Sequence, residues 1–128
     1  MNANSVLKDL RTSGLMDVLR REGMNFHVIL LEEMAKLADQ CGGRECTVTY
    51  AQCADLMGID RRLEQDKRIE PIKKIVESLI GSGIIDVVPK QHPQSYRVAK
   101  LQVLKAVTAN ILSKRVYLPA VSFQFLAR

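Results

Sequence analysis

Two histidines, three cysteines and a scatter of carboxylates are the residues of this 128-residue sequence whose chemistry could be catalytic. Their spacing does not assemble them. His27 lies between Phe26 and Val28, where a helix-surface or half-buried imidazole is expected rather than a base or a metal ligand. His92 falls in a turn-rich stretch. Cys41, Cys46 and Cys53 are separated by four and six residues, with no C-x-x-C pair and no histidine at a matching interval behind them. Neither a zinc finger nor a disulfide framework is expected, and the three read as reduced thiols of a cytosolic protein. Glu32-Glu33 and Asp86 have no partner carboxylate that spacing would bring near. No Gly-rich phosphate loop with a following Lys-Ser/Thr is present. The sequence therefore predicts no enzyme, no cofactor, no metal and no evident small-molecule substrate.

What remains is electrostatic. The net charge is only +5, but residues 1–64 hold eight Lys/Arg against ten Asp/Glu, while residues 65–128 hold eleven against four. After Asp86 there is no acid, against seven basic residues: Lys90, Arg97, Lys100, Lys105, Lys114, Arg115 and Arg128. A sign asymmetry of this kind points to a polyanionic partner on one side of the molecule.

The elements that must carry these charges follow from apolar spacing. With 47% apolar residues, 5% aromatics and no Trp, the core is expected to be Leu, Ile, Val, Ala and Met, which favours packed helices with a minor sheet. One domain of residues 1–128 is expected. Ser5 to Glu22 reads as one broken helix or two short ones, weakened at Gly14 and ended at Gly23. Asn25 is the expected N-cap of a helix in which Phe26, Ile29, Leu30, Met34, Leu37 and Cys41 recur every three or four residues up to Gly42-Gly43. Thr47-Val48-Thr49 reads as a brief strand, and Thr49 as the cap of a short helix from Tyr50 to Met57, closed by Gly58. Gly58 to Glu70 reads as a charged surface loop.

Pro71 suits the first turn of a helix, and Ile72, Ile75, Val76, Leu79 and Ile80 give a core-facing stripe that leaves Lys73, Lys74, Glu77 and Ser78 outside. Gly81 and Gly83 end it. Ile84 to Val88 and Tyr96 to Val98, joined by Lys90-Gln91-His92-Pro93-Gln94-Ser95, predict a hairpin. Leu101, Leu104, Val107, Ile111 and Leu112 predict a last helix, followed by a tail from Tyr117 to Arg128 that holds two of the three Phe residues.

Helix, short strand, short helix, loop, helix ending in Gly, then hairpin is an order that resembles the winged helix-turn-helix superfamily over Asn25 to Ala99. The residues that carry the resemblance are Thr47-Val-Thr-Tyr-Ala-Gln-Cys-Ala-Asp-Leu-Met-Gly-Ile and Ile75-Val-Glu-Ser-Leu-Ile-Gly-Ser-Gly-Ile-Ile-Asp-Val-Val. Within the second stretch, Leu79, Gly83, Ile84 and Ile85 match the family's "L-x-x-x-G-I-I". A fainter similarity runs to the winged helices of replication initiators. The resemblance implies a mainly α fold with a small β-hairpin, flanked by N- and C-terminal helices, that binds double-stranded DNA as a transcriptional regulator or a replication or partition factor.

In such a domain the helix of about residues 71–82 would enter a major groove roughly 12 Å wide, and the wing of residues 89–97 would touch phosphate. Lys73, Lys74 and Ser78 are the expected groove residues, with Arg68 flanking them. Lys90, Gln91, His92, Arg97 and Lys100 are the expected wing contacts, and Arg61, Arg62 and Lys67 those of the long loop. The terminal helices and the tail are expected to build a homodimer. The acidic first half favours the alternative, a winged-helix protein-interaction module that does not bind DNA. Neither a membrane span nor a secretory leader is expected, which implies a cytoplasmic protein, nucleoid-associated if its host is bacterial or archaeal.

Overall fold

The computed structural model describes residues 5–90 and 94–114. Among the described residues six helices and three short strands alternate, so the chain is mainly helical with a small antiparallel sheet. No described helix is long and apolar enough to cross a membrane.

The broken first stretch resolves into two helices, α1 (Val6–Thr12) and α2 (Leu15–Arg21). Gly14, at φ 79°, makes the break in a left-handed conformation that costs glycine little. The cap of α1 comes from far along the chain: the Asp39 carboxylate accepts from Ser5 Oγ at 2.7 Å, Val6 N at 2.7 Å and Leu7 N at 3.3 Å. Helix α3 (Asn25–Gln40) is the longest of the first half, but Met24 occupies its N-cap position and Asn25 is already helical, without a side-chain cap. Of the expected stripe, Leu30 and Met34 are buried, whereas Ile29 and Cys41 face water. The buried face is built instead from His27, Val28, Leu31, Ala35 and Ala38.

Strand β1 (Glu45–Thr47) lies two residues earlier than expected. Behind it Thr49 caps α4 (Tyr50–Leu56) in a reciprocal box, its hydroxyl accepting from Gln52 N at 3.1 Å while Gln52 Oε1 accepts from Thr49 N at 2.8 Å. The largest departure is the start of α5 (Gln65–Gly81), which precedes Pro71 by six residues. Pro71 has no N–H to give the Lys67 carbonyl, and its ring crowds the preceding turn. Gln65 to Glu70 nevertheless continue the helix, held by Arg68, whose guanidinium bonds Asp55 on α4 at 2.6 Å. The expected loop of residues 58–70 shrinks to the eight residues from Met57 to Glu64, and Ile59 inside it is 2% exposed.

The stripe on α5 is as the spacing predicts, with Ile72, Ile75, Val76 and Leu79 all 0% exposed. Burying each such side chain contributes about 1.5–3 kcal/mol. Gly83 then turns the chain with φ 85° into β2 (Ile85–Val88), which pairs with β3 (Ser95–Val98). The hairpin is joined by a strand from far upstream: β1 also pairs with β3, giving the sheet order β1-β3-β2. Cys46 faces Tyr96 across this ladder, and both are buried. Helix α6 (Leu101–Leu112) returns to pack on α1 and α2. The two flanking segments therefore cover each other within one chain. The tail of residues 117–128 lies outside the described residues.

Candidate nucleic-acid interface

The expected contact residues divide into those the fold leaves free and those it consumes. Helix α5 turns Gln65, Asp66, Lys67, Glu70, Lys73, Lys74 and Glu77 to solvent. Among the described residues, Lys67, Lys73 and Lys74 have no ion-pair partner. Because α5 begins at Gln65 rather than near Pro71, its free N–H groups and positive dipole end lie about 1.7 turns ahead of Pro71, beside Gln65 and Lys67. Three acids share the face with the three lysines, so the helix is charge-patterned rather than uniformly basic.

Two expected contacts are corrected. Arg68 is 6% exposed: its Nη2 donates to Asp55 Oδ1 at 2.6 Å and to the Ile59 carbonyl at 3.3 Å, and its Nη1 to Gln65 Oε1 at 3.4 Å. It clamps α4 to α5 and cannot reach a phosphate. Asp55, which receives it, is held below the usual carboxylate range, first by that hydrogen bond and then by the charges of Arg61 and Arg68. Ser78 is half-buried and faces inward, its Oγ 3.2 Å from His27 Nε2. His27 itself is 0% exposed, not on the helix surface, because the turn from α2 delivers the N-terminal end of α3 into the core. Burial lowers its pKa below 6.5, and its Nδ1 has no hydrogen-bond partner among the described residues.

The short turn before α5 holds Arg61 and Arg62, both exposed. Arg62 is tied to Asp60 at 2.8 Å, and that carboxyl is held down at about 2, chiefly by the Arg62 side-chain hydrogen bond. Arg61 lies 3.4 Å from Asp55. The arginine ends of both pairs are open to water, while Asp60 is half-buried and Asp55 exposed.

On the hairpin, Lys90 is exposed and takes φ 62°, which turns the chain out of β2. Gln91 and His92 lie outside the described residues. Arg97 is exposed but sits between two carboxylates: Glu45, 2.8 Å from its Nη2, is its β1 neighbour and Asp86 its β2 neighbour. Lys100, ahead of α6, is exposed and has no ion pair among the described residues. A cavity of about 330 Å³ opens beside it, floored by Ile80, Ile85 and Val98 and flanked by Arg44 and Arg97. Arg44 is already committed there, bonding Asp9 at 2.8 Å, the Val98 carbonyl at 3.1 Å and the Ala99 carbonyl.

Sequence reasoning missed Gln65, now at the front of α5, and Arg44, which ties α1 to the end of β3. Only the helix-forming run Gln65 to Glu70 could have signalled the first. The buried thiols are chemically quiet. Desolvation is the main cause that pushes Cys46 up to about 11 and Cys53 up to about 12, so neither is a thiolate nucleophile near neutral pH. Among the described residues no group of His, Cys, Asp or Glu is arranged to hold a metal. Compared with known proteins, the chain matches no family model, no curated protein and no solved structure.

Proposed function

We propose that this chain is a winged helix-turn-helix protein that binds double-stranded DNA, reading the major groove with the outer face of α5 and touching phosphate with the hairpin. The observation that carries the reading is topological. Helix α3, strand β1, helices α4 and α5 and the β2–β3 hairpin follow in order, and β1 closes the hairpin into a β1-β3-β2 sheet. That arrangement holds two helices, joined by an eight-residue turn and clamped by Arg68–Asp55, followed by a hairpin. The second helix then serves as the reader and the hairpin as the wing.

The contact set follows from exposure. Gln65, Lys67, Lys73 and Lys74 face the groove, Arg61 and Arg62, themselves exposed, exchange their carboxylate partners for phosphate, and Lys90 and Lys100 reach the backbone on the wing side. Gln65 is the residue able to make a bidentate contact to adenine, and the lysines position the helix. Such a protein acts as a transcriptional regulator or a replication or partition factor in the cytoplasm, without catalysis. A homodimer suits it, because Val103 and Leu112 on α6 remain 45% and 55% exposed.

A second reading is favoured by the carboxylates. Asp66, Glu70 and Glu77 alternate with the lysines on α5, and Glu45 and Asp86 flank Arg97. A face patterned in both signs suits a protein partner with complementary charges. Selection of bound fragments from a pool of random duplex DNA separates the two. An enriched consensus supports the DNA reading, and a palindromic one also supports the dimer. Recovery of unenriched background DNA only, by a folded protein, supports the protein-interaction module.

A further inference from the structure

His27 is a fully buried imidazole at the place where α3 meets the proposed reading helix. Its ring is 0% exposed, its Nε2 lies 3.2 Å from Ser78 Oγ on α5, and its Nδ1 has no hydrogen-bond partner among the described residues. Ser78 follows Lys73 and Lys74 by about one turn, and its neighbours Ile75 and Leu79 are 0% exposed. Ser78 thus lies at the edge of the face that carries Lys74, one turn along, where that face meets the buried stripe. Leaving a buried ring nitrogen without a partner carries a desolvation cost that an apolar side chain would avoid.

We propose that His27 and Ser78 form a proton-sensitive latch: neutral His27 holds α5 against α3, and protonation in acid frees α5 and releases the DNA. This rests on the DNA-binding reading for its consequence, but not for the latch. The physical ground is that the imidazolium has two N–H donors, of which Ser78 can accept only one. The second would lie in the core without a partner, together with a full charge.

Among the described residues, the charged groups on the neighbouring elements are exposed or already paired. On α3 itself, residues 24–31 carry no ionisable group other than His27. On α5 the ionisable residues within a turn of Ser78 are Lys74 and Glu77, both exposed. On α2 and α3, Arg20 is paired with Glu32 at 3.1 Å, and Glu22 with Lys114 at 2.8 Å. On α1, Asp9 is held by Arg44 at 2.8 Å. The thiols of Cys46 on β1 and Cys53 on α4 stay protonated and neutral. Burial is accordingly the cause of the lowered His27 pKa.

The sign follows. The native pKa lies below the unfolded value of 6.5, so the unfolded chain binds more protons between the two. The latch is at full strength above pH 6.5 and weakens as pH falls towards the native value. Below 6.5, the equilibrium for the closed latch should drop by up to about tenfold per pH unit, the limit for one proton.

The test is a titration of the full chain between about pH 5 and 8, followed by the imidazole NMR signals of both histidines, the hydrogen-exchange protection of the α5 amides, and the affinity for duplex DNA. The expected result is a His27 signal that titrates below the ordinary histidine range, together with loss of α5 protection and of DNA affinity over the same pH interval. His27→Gln, if folded, should flatten the pH dependence of α5 protection. The wild-type titration decides the matter even if that variant does not fold. A His27 signal with an ordinary midpoint, or α5 protection unchanged across the interval, overturns the latch. Loosened α5 amides in a protein that binds no DNA at any pH would leave the latch standing and reject the DNA reading.

Discussion

Replacing Arg68 by Ala separates a structural arginine from a DNA contact. The Arg68 side chain is 7% exposed, so truncation removes two buried methylenes, each worth about 0.8 kcal/mol. It also strips the Ile59 carbonyl of its 3.3 Å donor, a loss of about 1 kcal/mol. The Asp55 end of the pair is open to water and adds little. Against these losses stands relief from burying a guanidinium whose Nε has no partner. The balance is a destabilisation of about 1–2 kcal/mol, which lowers Tm by roughly 3–10 °C in a domain of this size. The assay is urea and thermal unfolding followed by far-ultraviolet circular dichroism, since the chain has no Trp to report. Arg68→Met is the paired variant. It keeps the stem, loses only the head group, and should cost less than half as much. Arg68→Ala unfolding within about 0.5 kcal/mol of wild type, as for an ordinary surface change, would refute the clamp.

Three further outcomes follow from the same geometry. Lys73→Ala with Lys74→Ala should leave stability within about 0.5 kcal/mol per site and reduce the salt slope of DNA binding by about two; unchanged affinity in the folded variant would remove this face from the interface. Gly14→Ala should cost about 1–2 kcal/mol by denaturant unfolding, because φ is 79° while the nearest atom to a new Cβ, Thr108 Cγ2, is a comfortable 3.8 Å away; a neutral substitution would mean that the α1–α2 break relaxes. Asp39→Asn should cost about 1 kcal/mol near neutral pH by weakening the cap of α1. Burial alone would raise the Asp39 pKa, but bonds from Ser5, Val6 and Leu7 and the charge of Arg44 together hold it below 3.8. A lowered native pKa stabilises above the unfolded value, so the gap between wild type and Asp39→Asn should close as pH falls through 3.8 and below, and a gap independent of pH would contradict the cap.

What was legible in the sequence was what local spacing encodes. The Ile72 to Leu79 stripe, the Thr49 cap and the Gly83-Ile84-Ile85 entry into the hairpin are each written within one or two turns of chain. Illegible features were set by contacts across the fold. Pro71 carries a strong local signal for a helix start, but Arg68 reaches back to Asp55 and fixes the helix six residues earlier. The same contact turned an expected DNA ligand into a core residue. Strand β1 has a local signal for extension but none for its partner, because Cys46 and Tyr96 are fifty residues apart. His27 reads as a surface or half-buried histidine in its immediate context, and its burial is set by the packing of α3 on the elements around it, α5 among them. The exposed lysines survived the comparison because solvent exposure opposite an apolar stripe is itself a local property.

The central claim is that the α5 and wing face binds duplex phosphate, and the salt dependence of binding to random duplex DNA tests it most directly. Lys67, Lys73, Lys74, Lys90 and Lys100 are exposed and have no ion pair among the described residues. If all five meet phosphate, the slope of log K against log salt is about −4 to −5. Affinity should then fall by several hundredfold, roughly, between about 50 and 200 mM salt. A folded protein that is not retained on duplex DNA at low salt, or whose binding has a slope near zero, would contradict the account.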